Sequence, residues 1–305
     1  MTISIIHFTL FFHMFFSGPE SNKAYCGFDK VDISTLPLTD KFDTLAQDRG
    51  KVGQKEISGI AISQKYPGHI WGINDSGNGS VLYLYDTENA NLKKLFILSD
   101  LSNTDWEDLT IGTDLSGKTH LYIAEMGDNE AKRDEYFVYK IEEPKTEALD
   151  GEIAHTVTKK EVIPFMYDDG PRDAEAIAFD PVSKKLIIIS KRESQVGIFE
   201  LPDEPGETPH YLQQIGELPL TFVVAAEFSA DGLLFMMKTY DQIFIWERQS
   251  AEEDFCDMVA RTPERAPYTM IEPQGESICL NEKGFFTLSE ERFGIQPRLY
   301  FYPKK

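Results

Sequence analysis

One short phrase returns five times along this chain. An acidic or small residue opens a short apolar strand, a turn follows, and a second strand ends in polar or charged residues. The phrases open at Ser58, Glu107, Glu175, Ala226 and Glu276, at separations of 49, 68, 51 and 50 residues. All-β units repeating at roughly 50 residues are the signature of a radial array of four-stranded blades. Such an array carries the same position of every unit to one central axis. Here that position reads Ser, Glu, Glu, Ala, Glu.

Each unit reads as four strands from the centre outward. In the second unit they are Glu107–Ile111, His120–Glu125, Tyr136–Ile141 and Thr156–Met166. The outer strands of the third and fourth units are expected at Tyr211–Ile215 and Tyr268–Ile271. The 68-residue step carries a charged insertion around Glu142 to Ala154. The fifth unit runs out of chain after Arg298–Tyr302, so its outer strand is sought upstream, at Lys41–Gln47. Pairing the two ends of the chain in one sheet leaves no open end blade. The expected fold is all-β: a five-bladed β-propeller closed by an N-terminal outer strand in the last blade.

A net charge of −21 disfavours nucleic acid and anionic membranes as partners. Ile3 to Phe16 is an apolar run, broken by Ser17-Gly18-Pro19. It is too short to span a bilayer and suits the core of a signal peptide. Residues 1–24 are therefore read as a signal and 25–305 as one propeller domain, secreted or periplasmic, with no membrane insertion after signal removal. Cys26 and Cys256 lie in irregular segments and could pair in an oxidising compartment, whereas Cys279 sits in an apolar inner strand and reads as core. The six histidines are scattered, without zinc-ligand spacing.

The second strand of each unit runs antiparallel to the first, so its end meets the first strand's start at one mouth. That brings Asn74 and Asp75, Glu125 and Asp128, Lys191 and Arg192, Lys238 and Tyr240, and Arg292 beside the axial ring. Three ionised glutamates on one axis demand a cation or a proton. With oxygen donors alone, Ca²⁺ is the fitting ion. Ser58, Glu107, Glu175 and Glu276 are its candidate ligands. The competing reading is that each Glu caps its own blade. The basic residues either hold an anionic ligand or neutralise the acids around them. Trp106, Tyr240 and Phe293 either wall the mouth or belong to the core.

Ser58-Gly-Ile with Asn74-Asp-Ser-Gly, Glu107-Asp-Leu, Glu175-Ala and Glu276-Ser-Ile together resemble the five-bladed calcium-activated nucleotidases, the apyrase family. The chain is similar, too, to uncharacterised secreted bacterial propellers with N-D-S-G, D-W-E-D and G-D-N motifs, here Asn74–Gly77, Asp105–Asp108 and Gly127–Asn129. The first resemblance implies a central calcium held by Ser58, Glu107, Glu175 and Glu276, with water attacking a terminal phosphoryl group. The chain departs from that family's ring at Ala226, where a Ser is expected and Glu227 follows.

Two functions follow. One is a calcium-dependent hydrolase of an anionic, phosphorylated substrate. Asp75, Glu125 or Asp128 would be its general base, and Asn74, Lys191, Arg192, Lys238, Tyr240 and Arg292 its substrate contacts. The other is a non-enzymatic module with a structural calcium that binds a glycan, peptide or protein. A lactonase-like propeller, usually six-bladed, is a third reading.

Overall fold

Alternating β-branched and aromatic runs, cut by Gly, Pro and Asp turns, produce strands almost throughout. A computed structural model describes residues 25–149, 154–157, 160–268 and 272–305, so the expected signal segment lies outside the described residues. The strands form five antiparallel-based sheets of four or five strands. Their inner strands are Ile57–Ile62, Trp106–Thr113, Ala174–Asp180, Val223–Phe228 and Gly275–Asn281. These touch one another in cyclic order, the fifth returning to the first, which closes a five-bladed propeller.

Closure uses both ends of the chain, as the strand count required. The strand that completes the last blade is Gln47–Lys51, paired antiparallel with Arg298–Pro303. The expected segment, Lys41–Gln47, lies just upstream of it. Its apolar Phe42 makes an isolated bridge to Lys304 and packs edge-on against Phe285, between blades 4 and 5. The apolar signal there was core, while the true edge strand is polar because it faces solvent.

Two expected outer strands each divide between neighbouring sheets. Of Thr156–Met166, Glu161–Tyr167 completes blade 2, whereas Ala154–Val157 adds in parallel to the outer strand of blade 1. Of Tyr211–Ile215, His210–Leu212 adds in parallel to blade 2, and Gln214–Leu218 completes blade 3. The outer strand of blade 4 is Glu264–Ala266, and most of the expected Tyr268–Ile271 lies outside the described residues.

Five apolar clusters fill the spaces between adjacent blades. Trp71 and Trp106 are buried between blades 1 and 2, so Trp106 is core and not a wall of the mouth. Cys26 and Cys256 are joined by a disulfide that ties the N-terminal segment to the short helix Phe255–Val259. Cys279 is buried and free. The inner strands approach closely: a Cβ on Gly59 would lie 2.5 Å from the Leu109 backbone nitrogen. Only glycine permits blade 1 to sit there against blade 2.

Candidate metal centre at the channel mouth

The five inner strands share one local irregularity. In every blade the register between first and second strands slips near the start of the first. The extra residues are Ser58, Glu107 with Asp108, Glu175, Val224 and Glu276. A bulge breaks the pleat and re-aims a side chain, and here it does so at one end of the channel in all five blades. The repeated column of the sequence is therefore a column of bulges.

The fourth position is corrected by this register. Ala226 is not the counterpart of the ring glutamates; Val224 is. Ala226 pairs regularly with Met237 and donates its N–H to Asp108 Oδ2 at 3.3 Å, deeper in the channel. The apolar run Phe222-Val223-Val224 carries no acid to mark the bulge, so the spacing of the phrases points two residues too far along.

Two residues before each bulge lies a second set: Glu56, Asp105, Asp173, Phe222 and Gln274. Two of these, Asp105 and Asp173, join the ring acids directly. Donor oxygens of Asp75, Asp105 and Glu107 all lie within 4.8 Å of one another, and so do those of Glu107, Asp173 and Glu175. Glu107 belongs to both groups. Asp105 and Asp173 were missing from the expected ligand set. Their signal was legible as an Asp-x-Glu pattern, Asp105-Trp-Glu107 and Asp173-Ala-Glu175, with Gln274-Gly-Glu276 as its amide version.

Gly127 shapes this cluster from the opposite strand end. A Cβ there would lie 2.0 Å from Glu107 Oε1 and 2.5 Å from Asp105 Cγ, so the bare glycine is the floor on which both carboxylates rest. Beside the ring, Gln274 Nε2 donates to Glu276 Oε1 at 3.1 Å and Glu290 Oε2 at 2.7 Å. The other oxygen of buried Glu290, and the amide oxygen of buried Asn74, have no hydrogen-bond partner among the described residues.

Burial drives the electrostatics. Glu107 is held well above the usual carboxylate range by burial and then by Glu175. Burial lifts Glu175 to about 8 despite the opposing pull of Lys191. Asp105 rises to about 6 through burial and the Asp75 charge, while Asp75 and Glu276 rise chiefly through burial. Glu290 reaches about 9 through burial and the neighbouring Glu276 and Asp75. Crowded acids in a desolvated mouth need positive charge or protons to coexist.

The remaining expected residues fall around this centre in different roles. Ser58 Oγ donates to the Trp106 carbonyl at 3.0 Å, turned toward the blade 2 backbone. Glu276 accepts from Tyr240 Oη at 3.1 Å. Lys191 is ion-paired with Glu175, and Arg192 with Asp173. Lys238 is fully buried: it donates to the carbonyls of Thr239 and Gly275 at 2.8 and 2.7 Å, and burial brings it down to about 8. Arg292 hydrogen-bonds Gln274 and lies over the ring of exposed Phe293.

Glu125 accepts from the backbone of Thr104 at 2.8 Å and pairs with Arg133 at 2.8 Å. Asp128 accepts from the Lys132 and Arg133 N–H groups and from Tyr136 Oη, at 2.7 to 2.9 Å. Both carboxylates tie loops together. Asp75 is partly exposed at the rim, in one of the two acid groups.

No protein-family model matches this chain, and no curated protein matches it. Among solved structures it is similar to a glutaminyl cyclase of Myxococcus xanthus, at 11% identity and a TM-score of 0.48, covering 85% of this chain and 94% of that one. It is also similar to a gluconolactonase of Xanthomonas campestris, at 11% identity and a TM-score of 0.42, covering 84% and 88%. At such identities and scores these likenesses say nothing of this chain's chemistry; the blade count rests on its own sheets.

Proposed function

We propose that this protein binds a calcium ion at the channel mouth and uses it to hold an anionic ligand. The observation that carries the reading is the sharing of Glu107 between two carboxylate groups with donor atoms within 4.8 Å. Glu107, Glu175, Asp173 and Asp105 would hold the ion, with Ser58 and Glu276 at the sides and Asp75 beside it at the rim. All these donors are oxygens and none of the groups includes His or Cys, which fits Ca²⁺ better than zinc. The Gly127 floor and the unpartnered oxygen of Glu290 fit a site shaped for more than its own side chains.

The activity that follows is hydrolysis of an anionic, phosphorylated substrate, as in the apyrase family. A bound calcium would polarise a phosphoryl oxygen and orient water. Asp75 is the proton acceptor in this reading, because Glu125 and Asp128 are engaged with loop backbone. The second reading, a binding module with a structural calcium, is favoured by one observation. Lys191 and Arg192 are paired with ring acids, Lys238 is buried on carbonyls and Arg292 is held by Gln274, so each basic candidate already has a partner. The Cys26–Cys256 disulfide supports an exported, oxidising setting. Among the described residues, no helix is long and apolar enough to cross a membrane.

The test begins with calorimetric titration of calcium into chelator-treated protein. Glu107→Gln and Glu175→Gln should each weaken binding by more than about tenfold, or about 1.4 kcal/mol. Absence of calcium uptake by the parent protein would sink the proposal. A screen of phosphate esters and anhydrides, with and without calcium, then separates the two readings. Calcium-dependent turnover supports the hydrolase, and calcium binding without turnover of any of them supports the module.

A further inference from the structure

The ring is polar on four blades and apolar on one. Blades 1, 2, 3 and 5 present Glu56 and Ser58, Asp105 and Glu107, Asp173 and Glu175, and Gln274 and Glu276 at the two equivalent positions. Blade 4 presents Phe222 and Val224. At these positions oxygen-bearing side chains come from blades 1, 2, 3 and 5 and none from blade 4.

Phe222 shares a left-handed backbone, φ +57°, with Gln274 at the equivalent position of blade 5, so this conformation belongs to the local turn. What sets Phe222 apart is its side chain, an aromatic ring 47% exposed where the other blades carry acids or an amide. Its backbone N–H donates to the Lys191 carbonyl at 2.7 Å, which ties it to the strand end that carries the Glu175 partner. Its ring lies 6.2 Å from that of Tyr240 at an interplanar angle of 42°. Tyr240 in turn bonds Glu276 through its hydroxyl. One side chain thus spans from the exposed Phe222 ring to the acid ring.

We infer that blade 4 is the open side of the centre, where the anionic ligand enters, and that Phe222 with Tyr240 selects anions bearing an aromatic ring. This rests on the calcium reading above. The ligand's anionic group lies on the ion at the side where blade 4 places no carboxylate. Its ring, attached directly or through one or two atoms, packs on Phe222 and Tyr240. The exposed aromatic ring at the position where the other blades carry acids or an amide is the group that makes this contact.

The experiment titrates calcium-loaded protein with phenylphosphonate and with methylphosphonate, which carry the same anion and resist hydrolysis. The parent protein should bind the phenyl compound about tenfold more tightly, by aromatic packing. Phe222→Ala should remove that ratio while leaving methylphosphonate and calcium affinities unchanged. Phe222→Gly should remove it as well, and glycine suits the left-handed backbone there, so loss of preference does not reflect a weakened fold. Equal affinities in the parent protein, no phosphonate binding, or a preference that survives both substitutions would overturn the inference. Failure of calcium uptake in the phosphonate-free titration overturns the calcium reading and this one with it. Calcium uptake with equal phosphonate affinities overturns the aromatic selection alone.

Discussion

Lys191 forms an ion pair with Glu175, joining the residue just past the second strand of blade 3 to the bulge in its first. Burial alone would lower the lysine, but the Glu175 carboxylate outweighs it and holds the ammonium above its ordinary range. Lys191 therefore occupies one ring carboxylate as an internal cation, and a metal ion at Glu175 must compete with it. Lys191→Met should tighten calcium binding in calorimetric titration. Without calcium, the same variant should lose about 3 to 5 kcal/mol of stability in urea unfolding, because it leaves a buried carboxylate unpaired. Weaker calcium binding would instead make Lys191 part of the ligand-holding machinery.

Gly127 offers a change that touches the site without altering charge. Its φ lies outside the left-handed region, so alanine is compatible with the backbone there. The added methyl would displace Glu107 and Asp105 from their shared floor. Gly127→Ala should weaken calcium binding by about tenfold or more and cost about 1 to 3 kcal/mol in stability, as overpacking does. Unchanged calcium affinity would show that these two carboxylates do not hold the ion.

Blades 3 and 4 are clamped on the far side of their inner strands by Asp180 and Arg248. Nη1 and Nη2 of Arg248 reach the two Asp180 oxygens at 2.8 and 2.7 Å, with both side chains 1% exposed. Burial would raise the Asp180 carboxyl, but hydrogen bonds from Arg248 and Val182 outweigh it and hold it below its ordinary value. A depressed carboxylate stabilises the fold fully above its unfolded value near 4, and the contribution is lost as pH falls through the folded value. Arg248→Met should cost about 3 to 5 kcal/mol at neutral pH, and its deficit relative to the parent should shrink below pH 4. Urea midpoints measured from pH 7 to pH 3 check this.

The disulfide closes a loop of 230 residues in sequence. Replacing Cys26 and Cys256 together by Ser should lower unfolding stability by about 2 to 5 kcal/mol. Reduction of the parent protein should reproduce that loss. Calcium affinity should persist in both, since the bridge lies with the packing of blades 3 and 4 and away from the mouth.

The five-fold phrase carried the architecture because each blade must alternate buried and turn residues in the same order, and that periodicity survives in the chain. It also carried Glu107, Glu175 and Glu276, since a shared bulge repeats a shared acid. Strand ownership did not survive at the rims. His210–Leu212 and Ala154–Val157 look like ordinary outer strands, and which sheet edge they join depends on which edge lies near. The roles of Glu125 and Asp128 were hidden for a related reason: a carboxylate beside a cleft and one bonded to loop amides have the same local sequence.

Five units, their order and the acidic character of their common end are written in the periodicity of the chain. Tertiary structure decided the rest: that Val224 and not Ala226 stands in the fourth place, that Asp105 and Asp173 join the ring, and that Phe222 interrupts it. A bulge is defined by pairing with a neighbouring strand, and a cluster of donor oxygens by the convergence of blades far apart in sequence. Neither exists until the ring has closed.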